Sequence, residues 1–218
     1  CQYVYRWKGI WYPKSMKSLN EDLKTGQFKQ IYLLYGEEAY LKKLYKNRFV
    51  KAMVPEGDTM NYRYFEGKNT NPKEIIDLAE TLPFFAERRL IVLENTGFLK
   101  NATPELAEYL KDMPETTYMI FVESELDKRG KLYKVIKEKG HIVELKRQDE
   151  KTLIRWILGM AKKEKLQMSE AAVRYLLAKT GNDMENLGQE LEKLFCYCMN
   201  HTEITAADID EICTTQIG

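Results

Sequence analysis

A chain of 218 residues, 44% hydrophobic and 31% charged, can bury a sizeable core in one or two compact domains. Its 34 Lys and Arg balance 33 Asp and Glu, which excludes a chain-wide basic field for gripping nucleic acid by its phosphates and leaves only a local patch for that purpose. No stretch reaches the ~20 apolar residues of a membrane span, and four cysteines, Cys1, Cys196, Cys198 and Cys213, are too few and too clustered for a secreted disulfide framework, so reduced thiols and a cytoplasmic setting are expected.

Residues 1–15, CQYVYRWKGIWYPKS, are rich in Tyr and Trp but lack the continuous apolar core of a signal peptide. They read as an extension ahead of a domain that starts near Met16. From about Gln30 to Lys146, strand-like runs alternate with helix-like ones, the pattern of a parallel sheet covered by helices on both faces. The runs are IYLLY, MNYRYFEG, RLIVLEN, YMIFVES and HIVELK; the third and fourth are almost wholly apolar, as central strands buried on both faces require.

After the first run, Leu41, Leu44, Tyr45 and Phe49 share one helical face, and after the second, Ile75, Leu78, Ala79 and Leu82 do the same. Asn71 is placed to cap that second helix, with Pro72 at its first position. Pro83 disfavours helical geometry in Leu82, so the helix is expected to end there, which puts Phe84 and Phe85 in the turn before the third strand. Two readings of the pair stay open from the residues alone: a cap on the core where helix meets strand, or a surface anchor.

Past Gln148 the strand signal stops. EKTLIRWILGMAKKEKL, SEAAVRYLLAKT and DMENLGQELEKLFCYCMN carry helical spacing, with breaks at 167–169 and 181–182, and TAADIDEIC adds a short helix capped by Thr205 with Asp208 three residues on. The organisation expected is an α/β domain over 16–148 and a small three-helix lid domain over 149–218.

The run IYLLYGEEAYL ends its strand in Gly36, where many α/β proteins begin a phosphate loop. Such a loop needs glycine-opened backbone N–H groups, a Lys for the β and γ phosphates and a hydroxyl for magnesium, and nothing from Gly36 to Lys43 is read as supplying them. Glu37 and Glu38 are expected in the first turn of the next helix, where they complement the positive helix end and repel a nucleotide. LIVLEN ends in Glu94-Asn95, without the paired acids of a magnesium-holding strand end, and Glu94 reads as a solvated strand terminus. No catalytic residue, cofactor or metal is assigned. For zinc, Cys196 and Cys198 lie two apart on a helix and point roughly 200° apart, so with His201 and Cys213 they read as ordinary core or surface residues.

Four segments in order, IYLLYGEEAYLKK, LPFFAERRLIVLEN, LDKRGKLYKVIKEKG and GNDMENLGQELEKLF, closely resemble the delta subunit of the bacterial DNA polymerase III clamp loader, from about Gln30 to Thr214. The resemblance implies an AAA+-like fold and a non-catalytic part of the polymerase holoenzyme, which binds and opens the sliding clamp (beta) during DNA replication. It implies as partners the ATPase loader subunits, gamma/tau and delta prime, with DNA met indirectly or weakly. Delta subunits carry an apolar pair that enters a pocket on the clamp, and Leu82, Phe84 and Phe85 match it in place and character; Glu80 stands where the family motif has a glutamine.

In SELDKRGK, the Ser-Arg-Cys motif of ATPase relatives is replaced, and Lys128, Arg129, Lys131 and Lys134 form a basic cluster suited to a subunit contact or to DNA, with a solvated helix face as the plain alternative. Delta subunits also have a helical collar domain through which the loader assembles; none is read here, so a monomer is expected. The competing function is a nucleotide-dependent AAA+ ATPase with a degenerate phosphate loop, acting on DNA.

Overall fold

The computed structural model describes residues 16–215, so the segment 1–15 lies outside the described residues. The chain divides after Arg147 into two compact units.

The first unit is built on a five-stranded sheet: β1 (Ile31–Tyr35), β2 (Tyr62–Glu66), β3 (Arg89–Glu94), β4 (Thr117–Glu123) and β5 (His141–Glu144). The strand order is β2-β3-β4-β1-β5 and every pairing is parallel. β1, β3 and β4 are central and almost fully buried, as their unbroken apolar runs require.

Alternation along the strands sends successive side chains to opposite faces. Ile31, Leu33, Ile91, Leu93, Met119 and Phe121 form one core with residues of α3 (Pro72–Ala79), α4 (Pro104–Tyr109) and α5 (Lys131–Lys139). On the other face Tyr32 packs its ring 4.5 Å from Phe49 of α2 (Ala39–Met53). Leu41, Leu44, Tyr45 and Phe49 are all buried, as their spacing predicts.

A further helix, α1 (Lys17–Thr25), has no counterpart in the sequence reading. Polar contacts tie it down: Asp22 accepts from the Tyr32 hydroxyl at 2.7 Å, Asn20 donates to the Tyr45 hydroxyl at 2.8 Å, and Ser18 meets His141 Nε2 at 2.8 Å.

Asn71 caps α3 through a bond from the Lys73 N–H, with Pro72 at the helix start. The helix ends at Ala79, three residues earlier than predicted, and Leu82 leaves the apolar face to stand in solvent. Pro83 has no N–H for the Ala79 carbonyl that a longer helix would need; Thr117 donates to that oxygen at 2.8 Å instead, and Arg89 donates to the carbonyls of Thr81 and Leu82 beyond the helix end. Glu37 and Glu38 are also displaced from their predicted place in the first turn of α2: Glu38 is its N-cap and accepts from the Tyr40 N–H, and Glu37 precedes it.

The second unit holds α6 (Glu150–Lys163), α7 (Glu170–Thr180), α8 (Met184–Tyr197) and α9 (Ala206–Ile212). Asp149, Ser169 and Asp183 cap the first three, and Thr205 with Asp208 forms a capping box on the fourth. Leu153, Ile157, Val173, Leu176, Leu187, Leu191 and Ile209 are fully buried. The reading that strand structure ends at Gln148 is corrected by two short strands, β6 (Gln167–Met168) and β7 (Glu203–Ile204), which pair in parallel. Two-residue strands carry no periodicity; tertiary pairing alone makes them.

Candidate functional site

The two ends of β3 carry different chemistry. Arg89 opens the strand and Glu94 closes it, about 16 Å away at the usual rise per residue.

Ligands of open α/β sheets bind outside the carboxyl ends of the strands, and there this protein places its own side chains. Gly36 has φ +125°, and an added Cβ would lie 2.4 Å from the Leu145 carbonyl oxygen. That same oxygen accepts the Glu38 N–H at 3.0 Å, so a backbone carbonyl takes a donor that a phosphate would use.

Lys42 corrects the expectation that nothing from Gly36 to Lys43 supplies a phosphate-loop group. Lys42 follows Gly36 by six residues, the interval of the phosphate-loop lysine, although Leu41 and Lys43 replace the glycine and hydroxyl residues around it. Lys42 is buried and its ammonium donates to the Ser124 hydroxyl at 2.9 Å. Burial lowers its pKa, opposed by the carboxylates of Glu94, Glu123 and Glu38.

Glu123, at the end of β4, is also buried and accepts from both the N–H and the hydroxyl of Thr96, at 3.1 and 2.8 Å. Desolvation raises its pKa against those bonds. Glu94 is no solvated strand terminus: it pairs with Lys46 and accepts from the Tyr64 hydroxyl at 2.8 Å. The sequence signal for Lys42 was the Gly36 spacing; Glu123 gave none beyond ending an apolar run.

At the opposite end, the turn between α3 and β3 holds three large apolar side chains in the open. Leu82 is 77%, Phe84 57% and Phe85 95% exposed, which decides against the core-cap reading of the pair. The two rings meet edge to face, 4.6 Å apart, and Phe85 sits at φ +48°, in the left-handed region. Met60, 61% exposed, stands on the loop before β2. The sequence reading did not single out Met60, because one methionine before a strand has no distinguishing spacing. It also missed Asn61, whose partner Phe84 is 23 positions away, and Arg89, whose bonds to the turn are made to backbone carbonyls that no side-chain pattern marks.

The basic cluster is exposed throughout. Asp127 accepts from Arg129 Nε and Nη2 at 3.0 and 2.9 Å, and Arg129 holds the Asp127 carboxyl down to about 2. The Lys128 ammonium lies 5.2 Å over the Tyr35 ring. Lys131 and Lys134 project from the first turn of α5.

In the second unit, Cys196 is exposed and Cys198 buried, so the helix separates them as expected. A trio not considered from the sequence comes together: ligand atoms of Cys198, His201 and Asp208 lie within 4.8 Å of one another. Asp208 is already engaged, since its Oδ2 accepts from the Thr205 N–H and hydroxyl at 2.8 and 2.9 Å. Burial, with Asp208 beside it, pushes the Cys198 thiol up to about 11, and the Asp208 carboxylate is committed to the capping box at the start of α9.

Residues 32–146 match the family described as DNA polymerase III, delta subunit. DNA polymerase III subunit delta of Bacillus subtilis (strain 168) is 28% identical over 201 residues, covering 87% of this chain and 58% of that protein. The probable DNA polymerase III subunit delta of Aquifex aeolicus is 24% identical over 195 residues, covering 84% and 54%. The chain therefore spans little more than half the length of these curated relatives.

Among solved structures, the Bacillus subtilis DNA clamp loader delta protein superimposes with a TM-score of 0.72 at 26% identity, over 91% of this chain and 62% of that one. The Thermotoga maritima RuvB Holliday junction branch migration motor gives 0.57 at 14% identity, over 93% and 68%, a likeness of fold alone. With the family pattern running through more than half of its residues, the chain belongs to the DNA polymerase III delta subunit family.

Proposed function

We propose that this chain binds a ring-shaped sliding clamp through Leu82, Phe84 and Phe85 and helps to open it during DNA replication, without hydrolysing nucleotide itself. The observation that carries the reading is the exposed apolar turn at the amino end of β3, in a chain of the delta subunit family. A few aromatic anchors entering a pocket can supply most of an interface's energy. Opening follows only if the bound clamp differs in shape from the closed ring, since a ligand shifts an equilibrium by its differential affinity for the two states.

Timing then belongs to ATPase loader subunits of the gamma/tau and delta prime kind, and the cluster of Lys128, Arg129, Lys131 and Lys134 is suited to meeting one of them. With Arg129 held by Asp127 and Lys128 lying over Tyr35, Lys131 and Lys134 are the groups best placed to face a partner. The carboxyl end of the sheet supports a non-catalytic role, because Lys42, Glu123 and the Leu145 carbonyl have protein partners there. Titration of the chain against the sliding clamp of the same organism tests the reading. Saturable one-to-one binding is expected, and its absence at tens of micromolar would refute it.

A further inference from the structure

Two adjacent phenylalanines, one of them in the left-handed region, cannot hold an exposed turn in shape by themselves. Their rings contact each other, and Phe85 has neither a glycine's freedom nor burial to offset its strain. The restraint comes from two buried polar residues at the starts of neighbouring strands, one just before β2 and one opening β3. Asn61, 3% exposed, precedes β2; its Oδ1 accepts the Phe84 N–H at 2.6 Å, and its Nδ2 donates to the Phe84 carbonyl at 2.8 Å.

Arg89, 7% exposed, opens β3 and donates to three carbonyls: Met60 at 2.9 Å, Leu82 at 3.1 Å and Thr81 at 3.3 Å. Asp58 braces Asn61 in turn, accepting its side-chain amide at 2.8 Å and the N–H groups of Asn61 and Met60 at 2.9 Å each.

We propose that Asn61 and Arg89 act as a latch that keeps the turn from Leu82 to Phe85 in its binding shape before the partner arrives, and that the same latch presents Met60 beside it. The inference rests on the turn being the clamp anchor. Met60 is fixed at its N–H by Asp58 and at its carbonyl by Arg89, so the anchor is assembled from two loops, each holding an apolar side chain in solvent. A side chain ordered in advance loses less freedom on binding, and association is slower where binding must first reshape a loop. Asn61 and Arg89 are thus positioning residues, acting through Phe84, Leu82 and Met60.

The test uses the full chain with Asn61→Ala and, separately, Arg89→Lys, which keeps the charge but loses the planar fork that spans three carbonyls. Two quantities are read: hydrogen exchange of the Phe84 and Phe85 amides against those of Leu90 to Leu93, and the association rate with the sliding clamp. Each variant is expected to speed turn exchange and slow association by about tenfold while the strand amides keep their protection. Met60→Ala is expected to weaken clamp binding with turn exchange unchanged. Should Asn61→Ala lose strand protection as well, Arg89→Lys decides alone. Wild-type association rates in a variant whose turn exchanges faster would overturn the latch and leave the anchor standing. A parent chain that fails to bind the clamp would overturn both.

Discussion

The ammonium of Lys42 lies 2.9 Å from the hydroxyl of Ser124, at the carboxyl end of the sheet where a phosphate-loop lysine would reach toward nucleotide. The contact turns a residue in catalytic register into a strut between α2 and the segment after β4. With Leu41 in place of the loop's second glycine and the Glu38 N–H given to Leu145, the chain should show no saturable binding of a fluorescent ATP analogue with magnesium. Micromolar saturation, lost in Lys42→Ala, would restore the ATPase reading.

Glu123 offers a test of the same region that needs no ligand. Its carboxylate serves Thr96 twice, so Glu123→Ala strands a buried N–H and should cost about 1–3 kcal/mol in urea unfolding. Burial raises the folded pKa of Glu123 above its unfolded value, so its contribution is full below the unfolded value and fades as pH rises through the folded one. Glu123→Gln, which keeps an acceptor and cannot ionise, should therefore match or exceed the parent's stability at pH 7. A loss at pH 7 as large as that of Glu123→Ala would contradict this account.

The cysteines predict both reactivity and an alkaline limit. Burial pushes the Cys198 and Cys213 thiols up to about 11 and about 12, with Asp208 and Glu190 adding to the effect. Among the described cysteines, Cys196 alone is exposed, so at pH 8 a thiol reagent should modify Cys196 and leave the other two until the domain unfolds. Both raised pKa values stabilise the fold fully below the unfolded value and lose that contribution as pH rises through the folded values. Melting temperature should consequently fall between about pH 9 and 12, and less steeply in Cys198→Ala with Cys213→Ala. Identical slopes would show that these thiols do not govern the alkaline limit.

Much of the fold was legible because it rests on local signals. The five strand-like runs became five strands, Asn71 with Pro72 marked a helix start, and Thr205 with Asp208 formed the capping box their spacing announces. What escaped depends on partners far along the chain. Helix α1 is tied down by Tyr32, Tyr45 and His141, and the last carbonyl of α3 is taken by Thr117. At the candidate site, Phe84 and Phe85 stood out as an adjacent aromatic pair after a proline, yet only tertiary structure could place them in solvent. Asn61 is an ordinary polar residue before a strand until its amide meets Phe84, 23 positions away.

The last prediction concerns the anchor itself. Phe84 and Phe85 are 57% and 95% exposed, so Phe84→Ala with Phe85→Ala opens no core cavity and should change unfolding free energy by about 0.5 kcal/mol or less. At Phe85 the backbone adds a second comparison, because φ +48° suits glycine and strains any residue with a Cβ. Phe85→Gly should accordingly be more stable than Phe85→Ala by up to about 1 kcal/mol. Clamp binding should fall alike in both, since glycine and alanine both remove the ring. The double alanine variant should lose at least ~2 kcal/mol of clamp affinity, the scale of a truncated aromatic anchor. Thermal melts and clamp titrations on the same three variants separate the possibilities: a lowered melting point with parental clamp affinity would assign the pair to the fold and remove it from the interface.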